Sequence, residues 1–185
     1  MPVTTPARTV VDIARTLRRP TAFSLAATAL ARPHRGRPIT TADEVLAELD
    51  ALGPARGVRA ARAIVGAVGT GCQSPAEAHS LMLMLDAGLE RPAQQVEFRD
   101  AEGSMVVDTF WKSAGLVGEC DGVSKYLRED RGDGMAAAKA VVAEKRREDR
   151  LRALGFRVVR WSTSTLRDAQ AFIALLRAAG VPDAG

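Results

Sequence analysis

This chain of 185 residues contains only two cysteines and only two histidines. Cys72 and Cys120 are too few for a disulfide scaffold and do not have the spacing of a zinc site. His34 and His79 have no metal-pairing partner along the chain. No apolar run is long enough to span a bilayer, and Met1-Pro2-Val3-Thr4-Thr5 lacks a secretory signal pattern. A membrane partner is therefore not expected, and a cytoplasmic setting is. Internal repeats and low-complexity tracts are absent as well. What remains is a chain of ordinary globular composition, long enough to bury a real core. Its length suits one domain, or one domain with a helical extension.

The charge is uneven. Between Lys139 and Arg160 eight basic residues oppose three acidic ones, an excess of five. The whole chain carries only +4, so the remainder sums to −1. A basic region of this kind is the footprint expected for a polyanion such as DNA. A solvated helix face laced with Glu–Arg pairs would look the same in sequence.

Residues 1–70 read as a helical extension. Thr5-Pro6 is a capping residue followed by proline at the first helical position, with Val10, Val11, Ile13, Ala14 and Leu17 as an apolar face. An Ala-rich helix over 21–31 follows, then the breaker-rich loop 32–38. Thr41 and Glu44 form a capping box for a helix to about Leu52, and residues 57–68 are helical again. Gly69-Thr70-Gly71 marks the preferred boundary. Residues 71–185 change rhythm: helix 74–86, strands 93–99, 104–111 and 115–121, helix 135–154, strand 156–161. Thr165 with Asp168 opens a last helix that ends near Gly180.

Three carboxylates interrupt the strand-forming runs, and an ionised carboxylate in such a setting needs a cation. Asp108 and Glu119 are eleven positions apart across an expected turn at 112–115, so they can lie side by side on adjacent strands. Glu119 and Asp121 are two apart and share a face. Converging oxygen ligands describe a hard-cation site of the Mg²⁺ type.

Several motifs occur in a telling order: Ser74-Pro75-x-Glu77, Gly88-Leu89-x-Arg91-Pro92-x-x-Gln95 and Val107-Asp108-x-x-Trp111. Gly118-Glu119-x-Asp121-Gly122-x-x-Lys125-Tyr126, Glu144-Lys145-Arg146-Arg147-Glu148-x-x-Leu151-Arg152 and Gly155-x-x-Val158-Val159-Arg160-Trp161 follow. With the element order they resemble the PD-(D/E)XK nuclease superfamily, and within it the domain related to very-short-patch-repair endonucleases. The resemblance covers roughly residues 74–177. It implies an α/β fold: an N-terminal helical segment, a restriction-endonuclease-like α-β-β-β-α-β core and a C-terminal helix. That domain often follows a winged helix of the type IV abortive-infection antitoxin kind. Residues 5–15 resemble the helical linker upstream of the domain, and the winged helix is expected to be missing here, as in a truncated form or one with a different gene start.

The resemblance implies a Mg²⁺-dependent (or Mn²⁺-dependent) DNA endonuclease, in DNA repair or phage defence. Asp108 and Glu119 would hold the ion, Asp121 would complete or flank the site, and Glu77 on the first helix would stand near the metal. The superfamily's usual lysine, two residues after the second acid, is replaced by Asp121. Lys125 is the nearest candidate for its cationic role and Lys145 another. Lys145, Arg146, Arg147 and Arg150 on the long helix, with Arg160 on the last strand, would meet DNA phosphates. Ordinary structural readings stand beside these. Asp121-Gly122 is a common turn pair, Asp108 suits a solvent-facing strand position, Glu119 can pair with Arg160, and Glu77 fits a capping box. The alternative function is a catalytically inactive DNA-binding or regulatory module of the antitoxin type.

Overall fold

The computed structural model describes residues 3–31, 37–121 and 134–185, with the backbone alone over 134–140. Among these residues are seven α-helices and a four-stranded mixed sheet. The chain separates into two compact units, Met1–Asp86 and Ala87–Gly185.

The first unit is all helix: α1 (Pro6–Thr16), α2 (Arg19–Leu30), α3 (Ala42–Ala51), α4 (Val58–Val68) and α5 (Pro75–Asp86). Thr5 caps α1 by accepting the Arg8 N–H, and Thr41 and Glu44 close a reciprocal capping box on α3. Helix α2 begins at Arg19, before the Thr21 that the sequence suggests, because Pro20 is compatible with a first helical turn. It touches α1, α4 and α5, and its small buried residues Ala22, Ala26 and Ala27 let them approach closely. Phe23, fully buried, fills the centre. Helix α5 adds Ala78, Leu81 and Met82 to this same core. The helix that the sequence grouped with the strands therefore packs among the helices.

The second unit carries β1 (Ala93–Asp100), β2 (Gly103–Trp111), β3 (Leu116–Asp121), α6 (Gly134–Ala153), β4 (Arg157–Ser162) and α7 (Ala169–Ala179). Strand order is β1-β2-β3-β4; β1, β2 and β3 form an antiparallel meander, and β4 runs parallel to β3. A parallel neighbour needs a long crossover, and α6 lies within it. Leu151 of α6 is buried with Met105, Val107 and Val117 of the sheet. Phe98, Phe110 and Phe156 meet in a ring cluster beside them, with centroids 4.6–5.2 Å apart. Helix α7 is anchored by Phe172, whose ring centre lies 5.3 Å from that of Trp161.

Helix α7 starts later than the sequence suggests. Asp168, not Thr165, is its cap, accepting the Ala171 N–H at 3.0 Å. Thr165–Arg167 tightens into a 3₁₀ turn. After α7 the chain returns to the start of the unit. Leu89 and Asp183 form an antiparallel bridge, flanked by Glu90 N–H to the Pro182 carbonyl (2.8 Å) and Ala184 N–H to the Gly88 carbonyl (2.7 Å). No described helix is long and apolar enough to cross a membrane.

Candidate functional site

The β2–β3 pairing runs Trp111–Leu116, Phe110–Val117, Thr109–Gly118. One further step in that register sets Asp108 opposite Glu119. There the side chain takes over from the ladder: Asp108 Oδ2 accepts the Cys120 N–H at 2.8 Å. Opposite Asp108 on its other side, in the β1–β2 register, is Gln95. Among the described residues Gln95 alone of the non-glycines has a positive φ, of 52°. Such a conformation costs on the order of 1 kcal/mol and gathers at functional sites.

Beneath the acids the packing is tight. Thr109 Oγ1 donates to the Gly118 carbonyl at 2.9 Å in a buried bond. A Cβ on Gly118 would lie 2.4 Å from that hydroxyl and 2.8 Å from two ring atoms of Trp161. Glycine is required here by contact rather than by φ. The Trp161 ring and Thr109 thereby fix the height of the β3 backbone that carries Glu119.

Glu119 is 7% exposed, one of four buried polar residues among those described. Arg147 Nη2 stands 2.8 Å from its Oε1, an ion-pair distance. The same nitrogen, which carries two N–H bonds, also donates to the Val106 carbonyl. Its approach to Glu119 Oε1 is close but poorly aligned, so that oxygen has a nearby positive charge and no well-formed hydrogen bond among the described residues. Arg147 Nη1 reaches Glu144 Oε1 at 3.5 Å, and Arg160 Nη2 bonds that same oxygen. Arg160 also lies 3.6 Å from Asp121 Oδ1 and 3.4 Å from Glu148 Oε2. The result is an alternating chain of acids and guanidiniums tying α6 to β3 and β4.

Burial pushes the Glu119 carboxyl above the ordinary glutamate value of 4.5; the like charge of Asp108 adds to this, while Arg147 and Arg160 oppose it. The sign for stability follows. At low pH both the folded and unfolded chains hold this proton, and nothing is lost. As pH rises past the ordinary value the unfolded chain ionises first, so stability falls until the folded group ionises too. Glu119→Gln should therefore gain stability relative to the parent as pH rises through that window. Urea denaturation across a pH series checks it; a pH-independent difference would contradict it.

The remaining expected site residues fall in several places. Asp121 shares its strand with Glu119, near Arg160. Glu77 lies at the start of α5, where its N–H donates to Ser74 Oγ (3.2 Å) and its Oε2 accepts the Gln73 N–H (2.8 Å). Its capping role is thus present. Lys145 and Arg146 are exposed on α6. Arg150, expected at DNA, holds Asp100 with two bonds of 2.7 and 2.6 Å and the Gly103 carbonyl at 3.0 Å. That clamp holds Asp100 below the usual carboxylate range. Arg147 and Arg160, also expected at DNA, are engaged with acids of their own unit. Lys125 and Tyr126 lie outside the described residues. The pairing of Glu119 with Arg160 is not what forms. They are register neighbours on β3 and β4, yet Arg147 takes the ion-pair position. Arg147 and Gln95 are the residues whose place at the site sequence reasoning missed. Gln95 was visible only as a motif member, and Arg147 only as one arginine of a basic run.

Oxygen donors, a buried carboxylate oxygen without an aligned donor, and a second acid beside it fit a hard cation. Among the described residues, however, no three His, Cys, Asp or Glu side chains group as a metal centre. The described acids offer a pair, Asp108 and Glu119, with Asp121 at its flank. No protein-family model, curated protein or solved structure matches the chain.

Proposed function

We propose that the sheet unit is a Mg²⁺-dependent endonuclease-like domain acting on the phosphodiester bonds of DNA. The observation that carries this reading is the placement of Asp108 and Glu119 as facing neighbours on β2 and β3, with β4 parallel to β3 after α6. That is the arrangement a restriction-endonuclease-like core would need, and the ordered motifs support it. Asp108 and Glu119 would hold the ion, with Asp121 at the flank. Bound there, Mg²⁺ supplies charge neutralisation at phosphate and a water of lowered pKa. The chain's own contribution is rigidity, because carboxylates on packed strands keep their position through a reaction. Exposed Lys145 and Arg146 on α6 offer phosphate contacts without sequence preference.

The test is nicking of supercoiled plasmid with Mg²⁺. The parent chain is expected to cut, and Asp108→Ala and Glu119→Ala are each expected to abolish cutting. Metal-dependent nicking that survives both substitutions would remove the site assignment.

One observation favours a second reading, a non-cleaving DNA-binding module such as an antitoxin-type regulator. Arg147 already places a positive charge at Glu119. No cutting, together with DNA binding that weakens steeply with salt, would select this reading.

A further inference from the structure

We infer that Arg147 holds the cation position at Glu119, so that a divalent ion binds this unit only by displacing an internal guanidinium. The inference rests on the metal site proposed above and adds its regulation.

Three features of the geometry carry it. First, Glu119 is buried, and among the described residues Arg147 is the cation at ion-pair distance from it, 2.8 Å. Removing that charge with nothing in return would leave a buried carboxylate uncompensated, which strongly disfavours the exchange unless another cation arrives. Second, the fit is imperfect. Arg147 Nη2 is shared with the Val106 carbonyl, and its approach to Glu119 Oε1 is close but poorly aligned. A hard ion bonded directly to that oxygen would satisfy what the guanidinium does not. Third, Arg147 has another partner to keep. Glu144, one turn earlier on α6, already accepts a bond from its Nη1, and the side chain is 24% exposed. It can swing toward Glu144 and solvent without becoming an unpaired buried charge.

Two ligands competing for one group are coupled reciprocally: the ion weakens the arginine's hold by the factor by which the arginine weakens the ion's. The intact chain, Arg147→Gln and Glu119→Gln are to be titrated with Mn²⁺, following free ion by electron paramagnetic resonance. Arg147→Gln is expected to bind Mn²⁺ roughly tenfold tighter than the parent, within the usual range of coupling between sites. Glu119→Gln is expected to lose binding. Equal affinity in the parent and Arg147→Gln would overturn the inference and leave the metal site standing. No binding in any folded variant, with plasmid uncut, would overturn the site and the inference together. Should Arg147→Gln not fold, the parent chain decides alone. Its Arg147 Nε–H resonance, assigned by its loss in Arg147→Lys, must shift as Mg²⁺ is added. A resonance unmoved at saturating Mg²⁺ overturns the inference.

Discussion

Gly118→Ala is expected to destabilise the sheet unit by about 3 kcal/mol, the upper part of the range for overpacking a core. Gly118→Val is expected to prevent its folding. The added Cβ meets Thr109 Oγ1 at 2.4 Å and the Trp161 ring at 2.8 Å. Neither neighbour can give way cheaply. Rotating Thr109 breaks its buried bond to the Gly118 carbonyl. Trp161 is 3% exposed and rests against Phe172. Both tryptophans of the chain, Trp111 and Trp161, lie in this unit, so tryptophan emission during urea unfolding reads its stability directly. A loss below about 0.5 kcal/mol, the level of a bland surface change, would show that β3 moves freely at this point. The contact can also be isolated. In a Trp161→Leu background the same Gly118→Ala change should cost less, and the difference is the coupling between the two positions.

Phe172→Ala is expected to remove about 3–5 kcal/mol, the usual cost of deleting a buried aromatic ring. Phe172 is fully buried and is the contact of α7 with the Trp161 ring. Leu176, one turn on, is buried as well, so α7 grips its neighbours by two side chains on one stripe. The same urea experiment measures the loss. Phe172→Leu should recover part of it, because a smaller void remains. A Phe172→Ala chain as stable as the parent would mean that α7 is held elsewhere, through its caps or the return of residues 181–184.

Element order was readable because each segment carried its own local signals. Thr41 and Glu44 announced α3 through hydrogen bonds within four residues, and the run from Val106 to Trp111 has strand-forming side chains at every position but Asp108. Thr165 misled for an equally local reason: Asp168, read as its partner three residues on, is itself a capping residue type, and only the finished turn shows that it caps the helix. Membership was harder. Helix α5 has apolar residues on several sides, and periodicity does not say whether Ala78, Leu81 and Met82 face helices or strands. The candidate site divided along the same line. The opposition of Asp108 and Glu119 follows from the length of the turn at 112–115, which is local. The destination of each arginine does not. Arg147 meets the Val106 carbonyl, and Arg150 meets Asp100, across 41 and 50 positions of sequence. Charge counts over 139–160 do not say which arginines are available to a partner; tertiary pairing engages Arg147 and Arg150 within the unit.

The bridge between Leu89 and Asp183 makes the sheet unit a closed circuit. Because the two segments run antiparallel, the chain enters at Ala87 and leaves past Ala184 along a common edge. A load drawn between those two points would open the bonds in sequence, as a zip does, rather than all at once. The circuit also makes the unit portable: a polypeptide entering and leaving through adjacent doors can be carried on another chain without threading through it.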